Sequence, residues 1–232
     1  MMERRMKRKF HVRCEAGENL EITSKSYLSL SDLADLGTVM ENVYHTKEEM
    51  IDCVNAFYEG MVQRSEEMKR HPNYKTGENY AYLGLPPCFL IFDEYVAFFE
   101  MLGTKESVGL LSQLKKIVML GRQAGYFLIV ACQRPDAKYF SDGIRDNFNF
   151  RGGLGRISEL GYGMLFGSDV KKQFFQKRIK GRGYCDVGTS VISEFYTPLV
   201  PKGHDFLQTI GSLAQARQDG TATCEAKGDG TD

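Results

Sequence analysis

The sequence predicts an α/β protein whose sheet is mostly parallel and is flanked by helices. Residues 88–92 (CFLIF) and 126–133 (YFLIVACQ) are two apolar runs of strand length. Runs without polar alternation are typical of strands that helices cover on both faces. The residues between the two runs have helical periodicity, and a strand–helix–strand crossover of this length pairs its strands in parallel.

Length and composition favour one domain. A chain of 232 residues can bury one substantial core. Its net charge of zero argues against a surface that attracts nucleic acid everywhere, although a local basic patch is compatible with it. The six cysteines form no Cys-x-x-Cys pair, which argues against a zinc site and favours a reducing, cytosolic compartment. Because no apolar stretch reaches about 20 residues, we expect the chain as given neither to span a membrane nor to be secreted.

The N-terminal third is predicted to contain a hairpin and two helices. Residues 9–25 carry two short alternating segments, which is typical of a hairpin. A short helix begins at Ser31. Thr46 and Glu49 have the spacing of a capping box, and apolar residues then recur at helical intervals to about Arg70.

Helices and strands alternate in the rest of the chain as well. After the first apolar run, we expect a short helix and then a long one that ends at Gly125. The other predicted helices are 142–148, 159–166 and 171–176, and the other predicted strands are 150–154, 183–187 and 191–199. The last two strands are expected to form an antiparallel pair.

Two adjacent carboxylates, Asp93 and Glu94, directly follow the first apolar run. Side chains at the carboxyl end of a parallel strand face the crevice in which α/β proteins bind ligands. Removing carboxylates from water in such a crevice costs free energy unless a cation binds them, and Mg²⁺ bound to a nucleotide is the usual cation. In nucleotide hydrolysis the first carboxylate holds Mg²⁺ and the second orients or deprotonates water, which is the form of a Walker B motif. The alternative is a surface turn without a function.

The second apolar run ends in Gln133, Arg134 and Pro135. A glutamine at this position can hydrogen-bond both a γ-phosphate and the attacking water, so it can sense whether the phosphate is present. Pro135 cannot continue a strand ladder and turns the chain away. The alternative is an ordinary polar strand end. Because the two strands are parallel, we expect Gln133 to lie at the same sheet edge as Asp93 and Glu94.

Four arginines lie on or near the segments that flank this edge. They are Arg122, Arg145, Arg151 and Arg156. One of them can act as an arginine finger, which neutralises transition-state charge in the site of a neighbouring subunit. For each of them, the alternative is a surface salt bridge.

The segments LIFDEY (90–95) and GRQAGYFLIVACQRP (121–135) resemble the core of the FtsK/SpoIIIE family of DNA translocases. The segments IRDNF (144–148) and GRGYCD (181–186) are similar to later parts of the same family, in the same order. The resemblance covers roughly residues 28–206. It is strongest to the coupling ATPases of Gram-positive conjugative elements.

This resemblance implies a RecA-like motor that assembles as a ring, usually a hexamer, around double-stranded DNA and moves it with ATP. It also implies that Asp93 supports Mg²⁺, that Glu94 is the catalytic base and that Gln133 senses the γ-phosphate. Arg145 is the implied trans-acting arginine. ATP and Mg²⁺ are the implied cofactors. The basic run at 171–180 is a candidate DNA contact, and its alternative is a solvated helix face.

The chain departs from the family in one respect. The phosphate-binding loop Gly-x-x-x-x-Gly-Lys-Ser/Thr occurs nowhere in the sequence. We therefore expect a divergent N-terminal segment at 1–27, a partial motor domain at 28–210 whose sheet is incomplete at its N-terminal end, and a disordered tail at 211–232.

Three functions remain open at this point. The first is a part of an ATP-driven motor for conjugative DNA transfer or DNA segregation. The second is an inactive remnant that binds DNA or joins the ring of an intact homologue. The third is an α/β binding protein unrelated to this family. The chain is expected in the cytoplasm, and at the inner face of the cell membrane if a membrane-anchored upstream portion or a partner holds it there.

Overall fold

The structure is a computed structural model that describes most of the chain from residue 43 onwards. The described residues are 43–44, 46–132, 138, 140, 142–155, 157–167, 170, 179, 181–189, 191–198 and 200–218. The chain divides into two units, one of which includes His45–Leu199 and the other Val200–Asp232. The predicted hairpin at 9–25, the short helix at Ser31 and the predicted boundary at residue 27 lie outside the described residues.

Helix α1 spans Lys47–Arg70 and begins at the predicted capping box. The Glu49 N–H donates to the Thr46 hydroxyl oxygen (3.3 Å), and the Thr46 N–H donates to the Glu49 carboxylate (3.1 Å). The helix buries three side chains at seven-residue spacing, Val54, Met61 and Met68. Both ends of this helix were therefore predicted correctly, because the capping box and the spacing of the apolar residues are local features of its own sequence.

The predicted parallel strand pair is present. Strand β1 (Cys88–Phe92) pairs in parallel with β2 (Tyr126–Val130), residue for residue along both strands. Helices α2 (Tyr95–Glu100) and α3 (Thr104–Ala124) lie between them in the chain. The α/β class is thus confirmed.

Two glycines allow α3 and β2 to approach each other closely. Gly125 ends α3 with a φ of 78°, in the left-handed region that favours glycine. A Cβ atom at Gly121 would collide with the backbone carbonyl of Tyr126. The connection from α3 to β2 is therefore tight. It fixes where β2 starts and, with it, the position of the residues at the carboxyl end of β2.

Strand β1 has one buried face and one exposed face, within the part of the chain that the structure describes. Leu90 and Phe92 are buried in a core to which α1, α2 and α3 contribute. Phe89 and Ile91, on the other face, are 55% and 54% exposed. The prediction that this strand is buried on both faces is wrong for the described residues. An apolar run specifies a strand, but the second covering layer must come from other elements.

The later strands form a second, antiparallel sheet. Its order is β3 (Arg151–Leu154), β4 (Arg182–Asp186) and β5 (Ile192–Tyr196), with β4 in the centre. The predicted antiparallel pairing of the last two strands is confirmed. Among the described residues, this sheet is separate from the parallel pair.

Two short helices flank β3 in the chain. Helix α4 (Asp142–Arg145) precedes this strand and packs against α3, whereas α5 (Glu159–Phe166) follows the strand and packs against it. The second core consists of Tyr162 and Phe166 from α5 and Tyr184 from β4. The predicted helix at 171–176 lies outside the described residues.

Helix α6, Phe206–Gln218, belongs to the unit that includes Val200–Asp232. The Asp205 carboxylate accepts a hydrogen bond from the Gln208 N–H (3.0 Å) and so caps this helix. The predicted disordered tail at 211–232 is therefore wrong for residues 211–218, which continue the helix. The missed signal was the capping aspartate ahead of a run with good helix formers. Within the described residues, no helix is long and apolar enough to cross a membrane.

Candidate functional site

Asp93 and Glu94 lie at the carboxyl end of β1, directly before α2. Both side chains are half-buried. Because β1 and β2 are parallel, Ala131 and Cys132 leave β2 at the same edge of the sheet. This edge is where parallel sheets present side chains to a ligand.

The backbone widens at these two carboxylates. The Ala131 N–H donates to the Phe92 carbonyl (2.8 Å), and the Tyr95 N–H donates to the Ala131 carbonyl (3.0 Å). In a regular parallel ladder the second bond would come from the Glu94 N–H. One extra residue is therefore accommodated on the β1 side, as in a β-bulge, a device that re-aims side chains next to functional sites.

The charge of Glu94 acts on the Cys132 thiol of the neighbouring chain segment. The backbone of Glu94 caps α2 with φ −135° and ψ 85°, but its side chain makes no capping hydrogen bond to that helix. Burial, and then the charge of Glu94, raise the pKa of the Cys132 thiol to about 12. Cys132 is therefore protonated at neutral pH and is no candidate nucleophile, because the thiolate is the reactive form.

Sequence reasoning did not single out Tyr95, which directly follows the carboxylates, or Phe140, whose ring contacts that of Tyr95. Tyr95 is the first residue of α2 and is buried, and its ring centroid lies 4.6 Å from that of Phe140. Phe140 belongs to the segment that follows β2. An aromatic residue directly after an acidic pair was the available signal for Tyr95, whereas the contact with Phe140 depends on the fold.

Three of the four flanking arginines lie among the described residues. Arg122 lies in the last turn of α3, and since β2 begins directly after α3, this arginine is at the edge opposite Asp93. The Arg151 guanidinium forms an ion pair with Asp186 (2.6 Å) inside the antiparallel sheet. Arg145, at the end of α4, contacts the Asp146 carboxylate through Nε (3.3 Å).

Several predicted site residues lie outside the described residues, namely Gln133, Arg156 and most of the basic run at 171–180. Within the described residues, no group of three or more His, Cys, Asp or Glu side chains could hold a metal ion. Two carboxylates nevertheless suit Mg²⁺ that arrives with a nucleotide, because Mg²⁺ retains waters and takes one or two carboxylates together with phosphate oxygens. These two carboxylates therefore fit the part of a nucleotide site that binds the metal ion. The sequence contains no glycine-rich loop that would bind the phosphates.

Comparison with known proteins identifies one close relative. The chain is 52% identical over 203 residues to the Ftsk domain-containing protein YdcQ of Bacillus subtilis (strain 168), which is 87% of this chain and 42% of the relative. The chain thus spans about two-fifths of that protein's length. No family model matches the sequence.

Two solved structures share the fold. The cytoplasmic domain of the Type VII secretion ATPase EccC from Thermomonospora curvata aligns with a TM-score of 0.52 and 18% identity, over 74% of this chain and 21% of that one. The pCW3 conjugation coupling protein TcpA, in a monomer form with ATPγS, aligns with a TM-score of 0.54 and 18% identity, over 72% of this chain and 50% of that one. The chain therefore has the RecA-like α/β fold of these ATPases.

Proposed function

Because this chain is a relative of the FtsK domain-containing proteins of the FtsK/SpoIIIE type, we propose that it is part of an ATP-driven motor that moves double-stranded DNA. The observation that carries this proposal is the pair of half-buried carboxylates, Asp93 and Glu94, at the widened carboxyl end of β1. In nucleotide hydrolysis one carboxylate can hold Mg²⁺ while a second group orients or deprotonates the attacking water. Conjugative DNA transfer or DNA segregation is the proposed process.

Each residue of the proposed site has a separate task. Asp93 would hold Mg²⁺ through its water shell, and the metal when bound would neutralise charge on the phosphates. Glu94 would accept the proton of the attacking water. Gln133, one residue beyond Cys132, would report whether the γ-phosphate is present. Arg145 is the proposed trans-acting arginine, and its present contact with Asp146 would have to break for that role.

A second candidate function rests on the sequence itself. The 232 residues contain no Gly-x-x-x-x-Gly-Lys-Ser/Thr loop, whose backbone N–H groups and lysine would cradle the phosphates. In this alternative, the chain does not hydrolyse ATP by itself and acts as a module that binds DNA or joins a ring of an intact homologue.

The proposed partners follow from the motor function. Duplex DNA would be held through its phosphates, with the run at 171–180 as a candidate contact, and binding would weaken steeply with salt. Copies of this chain or of an intact homologue would form a hexameric ring. We place the chain in the cytoplasm, at the inner face of the membrane if an upstream portion or a partner anchors it there.

ATP hydrolysis by the purified chain, with and without duplex DNA at low salt, separates the two candidate functions. The motor function predicts hydrolysis that duplex DNA stimulates and that single-stranded DNA of the same length stimulates less. An absence of ATP binding even at millimolar concentration, with duplex DNA still bound, would support the non-catalytic module.

A further inference from the structure

Helices α1 and α3 lie side by side and run in the same direction. Contacts join them in the same order along both helices: Lys47 with Glu106 (2.8 Å), Lys116 with the Tyr58 ring (5.5 Å from its centroid) and Arg64 with the Ala124 carbonyl (3.4 Å). The inner sides of both helices enter one core with Leu90 and Phe92 of β1. Their outer sides therefore point away from the sheet, on one surface of the molecule.

The outer side of α1 is acidic. Apart from Glu49 in the capping box, the exposed acidic residues of this helix are Glu48, Asp52, Glu59, Glu66 and Glu67. Of these, Glu66 has an ion-pair partner among the described residues, Arg70 in the last turn (3.5 Å). The other carboxylates form no ion pair with the part of the chain that the structure describes. They are spread over the length of the helix and remain available to a partner.

The outer side of α3 has the opposite charge. Its exposed basic residues are Lys105, Lys115, Lys116 and Arg122. The single acidic residue of this helix, Glu106, is already paired with Lys47. The exposed side of α3 also carries apolar side chains, namely Val108, Met119 and Leu120. Exposed apolar residues with charged neighbours are typical of a protein–protein contact.

Opposite charges occur at the same levels of the two helices. The contacts between α1 and α3 define which of their residues share a level, because both helices rise by the same distance per residue. The residues that match to within one helical turn, about 5.4 Å, are Glu48 with Lys105, Glu59 with Lys115, and Glu66 with Arg122. The acidic and the basic side are therefore in register from end to end.

Two such sides next to each other are self-complementary. A second copy that is related by a two-fold axis parallel to the helices places α1 of each copy over α3 of the other, at an unchanged level. Acidic residues then meet basic residues at each matched level, and like charges are not brought together. A two-fold interface has this property, since residue i of one copy contacts residue j of the other and the reverse.

We propose that the acidic side of α1 and the basic side of α3 form the interface of a two-fold symmetric dimer of this chain. The apolar side chains on the exposed side of α3 would be buried in the same contact. This interface differs from the ring contact of the proposed function, because a ring requires head-to-tail contacts. It involves neither nucleotide nor Asp93 and Glu94, so the dimer and the proposed function can fail separately.

The experiment measures the size of the full chain by sedimentation velocity, in buffer without nucleotide or metal. Three pairs of substitutions are compared with the unaltered chain. The acid-reversed variant carries Glu59→Lys and Glu66→Lys, and the base-reversed variant carries Lys115→Glu and Arg122→Glu. The matched control carries Glu100→Lys and Lys202→Glu, which reverse exposed charges outside the two sides.

The proposal predicts a dimer of the unaltered chain at low salt, within a concentration series up to about 0.1 mM. It should dissociate in about 1 M salt, where the screening length falls to about 3 Å. Each reversed variant should raise the dissociation constant roughly tenfold or more, because every substitution acts twice in a two-fold pair and replaces attraction by repulsion. The control should dimerise like the unaltered chain.

An equimolar mixture of the two reversed variants is the decisive arm. Both contacts of the mixed pair again join opposite charges, so the mixture should form a dimer although neither variant does so alone. This rescue also shows that both variants are folded. A monomeric unaltered chain, a mixture that stays monomeric while circular dichroism shows both variants folded, or an equal loss in the control would overturn the proposal. So would a series of larger species that depends on the same residues, which would indicate head-to-tail contacts. If reversal prevents folding, Glu59→Gln with Glu66→Gln replaces it, and an unchanged dissociation constant in that variant would also overturn the proposal.

Discussion

Replacing Glu94 with glutamine is expected to lower the rate of ATP hydrolysis by about 10²-fold or more while ATP binding is retained. General-base catalysis contributes roughly 10²- to 10⁴-fold in enzymes, and an amide cannot accept the proton. The substitution preserves the size of the side chain, so the junction between β1 and α2 keeps its packing. Steady-state phosphate release, combined with equilibrium binding of ATP, measures both quantities.

The matched control for this substitution is Glu100→Gln. Glu100 is exposed and ends α2, the same helix that Glu94 caps, and its substitution should leave hydrolysis unchanged. If Glu94→Gln and Glu100→Gln hydrolyse ATP at the same rate as the unaltered chain, Glu94 is not the base. Equal losses in both variants would point to the stability of α2 and not to chemistry.

Replacing Asp186 with alanine is expected to destabilise the fold by about 3–5 kcal/mol, the range found when one partner of a buried ion pair is removed. The Asp186 side chain is 4% exposed, and its carboxylate lies 2.6 Å from the Arg151 guanidinium. It also accepts the Gly188 N–H in the turn after β4 (2.9 Å). Its loss would leave a mostly buried guanidinium without its counter-charge. Urea denaturation followed by circular dichroism measures the change.

Two further variants distinguish the loss of the buried ion pair from the general effect of removing a charged side chain. Asp146→Ala removes the exposed partner of Arg145 and should cost about 1 kcal/mol or less, as exposed pairs do. The double variant Arg151→Met with Asp186→Ala should be more stable than Asp186→Ala alone, because no buried charge is left unpaired. A double variant that is less stable than Asp186→Ala would contradict this account.

Elements whose signals are local in sequence were predictable. Helix α1 carries its own capping box and apolar period, and its bounds agree with the prediction. Strands β1 and β2 are continuous apolar runs bounded by turn residues, and their parallel pairing followed from the length of the crossover. The position of Asp93 and Glu94 at the sheet edge then followed from chain order alone.

Features that depend on distant contacts were not predictable. Arg151 was a candidate for the site, but its partner Asp186 lies 35 residues away and becomes its neighbour only through the register of β3 and β4. The exposed face of β1 depends on which elements cover the sheet. The widened backbone at Asp93 and Glu94 is a hydrogen-bond pattern, and no residue type specifies it.

The central claim is that Asp93 and Glu94 form the metal and water half of a nucleotide site. The most direct test is calorimetric titration of ATP into the chain with and without Mg²⁺, repeated with Asp93→Asn. This account predicts that Mg²⁺ tightens ATP binding by about tenfold, or 1.4 kcal/mol, and that Asp93→Asn removes most of this gain. ATP binding that Mg²⁺ and Asp93→Asn leave unchanged, or no binding at millimolar ATP, would contradict it.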